Sequence, residues 1–170
     1  MRKLLLFSLL VISVSVSAQK KIETTDQFII EGKVKNELSL SLKDLTALTP
    51  VAVDSIIIYS HLMEPRKTIR HIKGVLLKDV IDKAGINSDS PKLLSEFYIT
   101  CIASDNYKVV FSWNEIYNSP GGEQIFIITG ADGKTGDQMQ DRIAILSAAD
   151  KATGRRYVKS LQKIVIGQVK

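Results

Sequence analysis

Apolar and polar residues alternate from Phe28 through Ile30 to Val34, a period of two that predicts a half-buried strand, and Lys35, Asn36 and Glu37 supply a turn after it. Leu38, Leu40 and Leu42 alternate again. Ser41 then stands as an N-cap for a short helix whose leucines at 42, 45 and 48 fall at helical spacing, and Pro50 ends it. Residues 53–59 are rich in β-branched and aliphatic side chains, Val53 and Ile56 to Ile58, which predicts a central strand buried on both faces. Residues 62–70 carry Pro65, Arg66, Lys67 and Arg70 without periodicity and predict a surface loop or an edge excursion. Apolar positions 76, 77, 80, 81 and 84 recur at helical spacing ahead of Gly85, a natural stop, and mark the clearest helix in the chain.

Beyond a turn cluster at 87–91, residues 97–103 and 107–111 are two β-rich runs separated by Ser104, Asp105 and Asn106, which reads as a hairpin. Ser112 caps a short helix through Trp113 and Ile116, and Pro120-Gly121-Gly122 breaks it. Further strands are predicted at 124–129, 142–146 and 163–169, with a turn at 130–133. No fixed-period repeat appears. Strands predominate and do not alternate with long helices, so a doubly wound parallel sheet is excluded in favour of a strand-rich α+β fold.

Composition adds that this is a globular chain: of 170 residues, 45% are apolar and 24% charged, enough for one domain with its own core. The front of the chain reads differently. Arg2 and Lys3 precede an apolar run over 4–16, and Val16-Ser17-Ala18 offers small residues for cleavage, the layout of a secretory signal peptide. The run is shorter than the ~20 apolar residues a spanning helix needs. It carries neither a following lipid-bearing cysteine nor a twin-arginine pair. The expectation is therefore general secretion to a periplasmic or extracellular location, with no stable membrane anchor after cleavage. The organisation expected is a signal peptide at 1–18, a polar lead at 19–26 and one domain at 27–170. Cleavage would remove Arg2 and Lys3 and so reduce the formal net charge of +5 by two.

One Cys and two His cannot build an intrachain disulfide or a four-ligand Cys/His zinc site. Gly133-Lys134-Thr135 ends like a phosphate loop, but position 128, where that loop needs glycine, is Ile128. Residues 132–137 lack the ladder of oxygen ligands of a calcium loop and read as a plain hairpin turn. No Gly-x-Ser-x-Gly elbow is present. Cys101, inside a β-rich run, reads as a small buried hydrophobe. With aromatics at 6% and no basic-aromatic interleaving, a nucleic-acid partner is not expected.

Two cationic clusters remain. His61, Arg66, Lys67, Arg70 and His71 form the first, and Arg155, Arg156 and Lys159 the second. Guanidinium forks and imidazole donors match the oxygens of an anion, so the first cluster is either an anion site or a solvated basic loop, and the second would join it if the two met.

The ordered segments 28–34, 40–45 and 72–80, the Ser104-Asp105-Asn106-Tyr107 turn, the strand and turn over 125–133, and the stretches 142–146 and 154–164 together resemble the oxidoreductase molybdopterin-binding domain, the core domain of the sulfite oxidase family. The resemblance runs from about residue 28 to 169. It implies a strand-rich α+β domain holding a molybdenum pterin cofactor through Arg, His, Lys and backbone donors. It further implies a metal-ligating cysteine at the end of the strand that precedes the Gly-Val-x-Leu segment, where this chain has Ser60, while Cys101 falls on a later strand. Asn106 stands where the family turn has glycine, and Met139-Gln140-Asp141 where glycine and proline are common. Family enzymes are loaded while folded and exported by the twin-arginine route, unlike the leader read here. The resemblance thus implies a cofactor pocket formed by Ser60, His61, Arg66, Arg70, His71, Tyr107, Arg155 and Lys159; with serine in place of the cysteine no metal ligand is assigned, and the cofactor is expected to be none or unknown, with molybdopterin possible by the resemblance. The expected function is binding of a small anionic or pterin-like ligand, or of a protein partner. The alternative is a molybdopterin-dependent oxidoreductase in which Ser60 replaces the cysteine.

Overall fold

Phe28 and Ile30 on β1 (Gln27–Gly32) are fully buried while Ile29 between them faces outward, as a half-buried strand requires. In the computed structural model, which describes residues 22–169, β1 pairs antiparallel with β2 (Leu38–Ser41) and parallel with the last strand of the chain. The leader at 1–18 and residues 19–21 of the polar lead lie outside the described residues. Strands β3 (Val51–Tyr59) and β4 (Pro65–Leu76) form a long antiparallel hairpin. The expected second hairpin is β5 (Phe97–Ala103) with β6 (Lys108–Ser112), in a register that sets Ile99 opposite Phe111. Strands β7 (Ile125–Ala131), β8 (Lys134–Thr135), β9 (Ala144–Ser147) and β10 (Leu161–Gln168) complete the fold. One sheet has the order β2-β1-β10-β5-β6; the other has β3-β4-β7-β8, with β9 also on β7.

Helices are short and capped by the residues that predict them. Helix α1 (Leu42–Leu45) is a single turn: the Ser41 backbone N–H and hydroxyl both donate to Asp44, at 2.8 and 2.6 Å, and the Thr46 hydroxyl closes the far end by donating to the Lys43 carbonyl. Helix α2 (Leu77–Ala84) buries Leu77, Val80, Ile81 and Ala84, and stops at Gly85, whose φ of 65° suits glycine. Helix α3 (Trp113–Tyr117) opens on Ser112, whose hydroxyl accepts from the Glu115 N–H.

Two readings are corrected. Residues 65–76, expected to begin as loop, are one continuous strand whose first four positions, Pro65 to Thr68, carry no buried apolar side chain and so show no alternation in the sequence. Further along, His71 at φ 50° lies between the buried Ile69 and Ile72, which fall three apart instead of two, and Val75 is buried after them. Strand β3, expected at the centre of a sheet, is an edge strand with Ile56 and Ile58 buried and Ile57 42% exposed. Strand β7 is covered on both faces, as is its neighbour β9, whose Ile145 and Leu146 face opposite clusters. Ile125 and Ile127 pack into the main core with Phe28, Ile81, Phe97 and Phe111, whereas Phe126 and Ile128 join Ile58, Ile69 and Leu146 in a second cluster on its other side. Each such side chain contributes roughly 1.5–3 kcal/mol by leaving water, so β7, together with β9, couples the two clusters. Among the described residues no helix is long and apolar enough to cross a membrane.

Candidate functional site

Strand β3 turns into β4 through a tight tip at 60–64. The Ser60 N–H donates to the Glu64 carbonyl at 2.9 Å, the Met63 N–H to the Ser60 carbonyl at 3.0 Å, and Met63 takes φ 62° to complete the turn. The Ser60 hydroxyl oxygen accepts from the Leu62 and Glu64 N–H groups at 3.2 and 3.3 Å. It is a turn-closing residue by geometry. With both acceptor positions engaged by backbone, its own proton is the part left to offer.

A second segment is clamped against the end of β3. The Thr153 hydroxyl accepts from the Tyr59 N–H and donates to the Ile57 carbonyl, both at 2.8 Å, and Thr153 is buried. Gly154 follows where a Cβ would stand 2.7 Å from the Tyr59 carbonyl oxygen, so the approach requires glycine. These two contacts deliver Arg155 to the hairpin tip. Tyr107 arrives from the β5–β6 turn, where Asn106 adopts φ 70° and Asp105 accepts the Tyr107 N–H at 2.9 Å, and its hydroxyl donates to the Arg155 carbonyl. Asn106 thus performs the left-handed step that glycine would perform there.

The result is an open cleft of about 510 Å³ bordered by Ser60, His61, Arg66, Tyr107, Gly154 and Arg155, with no carboxylate in its lining among the described residues. Arg66 is paired across the rim with Glu64 at 2.9 Å, both ends well exposed, a weak contact that an incoming anion can displace. Lys159 stands in an adjoining depression of about 350 Å³. Arg70 and His71 are elsewhere. Because β4 is a strand and not a loop, they lie roughly 13 Å and more beyond Arg66 at 3.3 Å per residue. The backbone of Arg70 is held by Asp132, and His71 borders a different depression with Asp54.

Arg156, next in chain to Arg155, serves structure. Its guanidinium donates to Asp150 at 2.7 Å and to Glu115 at 2.8 Å and lies over the Phe111 ring at 4.4 Å. Burial pulls the Glu115 carboxyl upward, but the Ser112 backbone N–H and Arg156 outweigh it and hold it below the ordinary range. The same contest at Asp150 goes the same way through Arg156 and Ser147. Neither Thr153 nor Gly154 was among the expected site residues; their signal in the sequence is a small polar residue and a glycine directly before the arginines.

Chemically the cleft can hold an anion. It does not fit a thiolate-bound molybdenum: the position for the ligand is a serine whose oxygen is occupied by two backbone N–H groups, and Cys101 is fully buried in the other sheet, where desolvation pushes its thiol far up. No group of three or more His, Cys, Asp or Glu converges among the described residues.

No family model matches the chain. No curated protein matches it either. Among solved structures it is similar to the sulfane dehydrogenase SoxCD from Paracoccus pantotrophus, with a TM-score of 0.64 over 87% of this chain and 12% sequence identity. The two share a fold. The match takes in 40% of the SoxCD chain, so this protein spans less than half of that neighbour's length.

Proposed function

We propose that this chain is an exported binding domain that seats a small anionic ligand in the cleft between the β3–β4 tip and the 153–156 turn, without redox chemistry at molybdenum. The observation that carries the reading is the state of Ser60. A hydroxyl whose acceptor capacity is spent on the Leu62 and Glu64 N–H groups presents a donor to the cleft, beside the Arg155 guanidinium and the imidazole of His61. Donors and positive charge together suit phosphate or sulfate oxygens, and a metal ion would find neither a thiolate nor a carboxylate there. The leader at 1–18 supports the exported setting.

The fold likeness to an enzyme named as a sulfane dehydrogenase, together with the sequence resemblance to molybdopterin-binding domains, favours one other reading, a molybdopterin-dependent oxidoreductase. Metal and pterin content of the protein purified from a molybdenum-replete host separates the two. Content near zero is expected, and near-stoichiometric molybdopterin overturns the proposal. Calorimetric titration with inorganic phosphate and sulfate tests the positive side: saturable binding is expected, weakened about tenfold in Arg155→Met, since a charge-assisted hydrogen bond is worth roughly 1.5–3 kcal/mol. An Arg155→Met protein that binds these anions as well as the wild type would place the ligand elsewhere.

A further inference from the structure

The cleft continues past Arg155. The adjoining depression that holds Lys159 shares Tyr107 and Gly154 with it, so the two are halves of one groove with the Tyr107 side chain on the ridge between them. Their chemistry differs. The first half is lined by Ser60, His61, Arg66 and Arg155 and by no carboxylate among the described residues, whereas the second is lined by Asp105, Lys159 and Tyr157 together with the apolar Ala103 and Ile22.

The ridge is a fixed platform. Tyr107 is 42% exposed, yet its N–H is held by Asp105 and its hydroxyl by the Arg155 carbonyl. Lys159 is held as well, its ammonium 5.5 Å from the centre of the Tyr157 ring and 4.0 Å from Asp141, which also accepts the Tyr157 hydroxyl. A free inorganic anion would use the first half alone. The second half offers an acceptor, Asp105, and a donor, Lys159, in one depression bordered by the Tyr107 ring, which suits a ring bearing several hydroxyl groups, because each hydroxyl both donates and accepts and the C–H face of the ring packs on an aromatic surface. The two volumes, about 510 and 350 Å³, are in the range of small-ligand sites.

We infer that the groove takes an anionic saccharide, its phosphate or sulfate ester held by Arg155, His61 and Ser60 and its ring laid over Tyr107, with ring hydroxyls on Asp105 and Lys159. The inference rests on the anion-binding reading above and extends it to a substrate class.

The purified protein, titrated in parallel with glucose 6-phosphate, glucose 6-sulfate, inorganic phosphate, inorganic sulfate, free glucose and adenosine monophosphate, tests it. At least one sugar ester should bind about tenfold tighter than its own inorganic anion, the gain of one or two good hydrogen bonds, and which ester gains more identifies the anionic group. Lys159→Met should lower that ester's affinity several-fold more than it lowers the affinity for the inorganic anion. Equal affinities for ester and anion, an equal loss of both in Lys159→Met, or tighter binding of the nucleotide than of either sugar ester would each overturn the saccharide assignment while leaving the anion site standing. Failure of every anion to bind would remove both.

Discussion

The Tyr107 hydroxyl donates to the main-chain carbonyl of Arg155, joining the turn of the β5–β6 hairpin in one sheet to the segment that is clamped on the edge of the other. This bond spans the cleft wall. It fixes the direction in which the Arg155 backbone runs, and so where its guanidinium can reach.

Tyr107→Phe keeps the ring and removes the tether. The expected cost is about 1 kcal/mol or less because the site is exposed, a fall of a few degrees in thermal midpoint, with phosphate affinity weakened as the Arg155 turn loosens. Thermal melting with and without phosphate measures both. An unchanged affinity would show that Arg155 is positioned by Thr153 and Gly154 alone.

Thr153 carries more. Thr153→Val preserves shape but strands the Tyr59 N–H and the Ile57 carbonyl, a loss of about 2 kcal/mol or more, whereas Thr153→Ser retains the hydroxyl and should cost about 1 kcal/mol through the lost methyl. Urea denaturation of the pair separates hydrogen bonding from packing. Equal losses would assign the effect to the methyl group.

Acid should destabilise the protein through Glu115 and Asp150. Both carboxyls are held below their ordinary range in the folded chain, so they contribute stability above the unfolded carboxylate pKa of about 4 and withdraw it as pH falls through their lower folded values. In Arg156→Met the guanidinium that outweighs burial is gone. The variant should be less stable at neutral pH and show a shallower decline between pH 5 and pH 2, read from denaturation curves at each pH.

Cys101 should be inert. Its side chain has no exposure and desolvation keeps the thiol protonated, so a thiol reagent at neutral pH should modify the unfolded protein and leave the folded one unlabelled. Rapid labelling under native conditions would show that β5 opens locally.

Where the chain obeyed local rules, its fold was legible. The β5–β6 hairpin announces itself by alternation on either side of Ser104-Asp105-Asn106, and α2 by its apolar spacing and Gly85. The first half of strand β4 was not legible because Pro65, Arg66, Lys67 and Thr68 bury no apolar side chain, and the buried Ile69 and Ile72 then fall three apart across His71 at φ 50°. Strand β3 was misplaced for another reason: an aliphatic run reports that a segment is extended and says nothing of how many neighbours it has. The site was legible by halves. Ser60, His61 and Arg66 are close in sequence, and so are the arginines of the second cluster, but their meeting depends on the Thr153–Tyr59 bond between residues 94 positions apart. Arg70 and His71 were grouped with the site because a loop would have folded them back, and a strand carries them away.

The turn at Ser60 also limits which side chains the position accepts. Sulfur is a poor acceptor for the Leu62 and Glu64 N–H groups, so a cysteine at this position would surrender the bonds that close the hairpin tip while supplying the thiol that the molybdenum-binding family uses. One side chain cannot serve both demands. Exchange of the serine oxygen for sulfur would therefore loosen the hairpin tip unless the loop were rebuilt with it, so one atom decides between a closed turn and a thiol at the cleft.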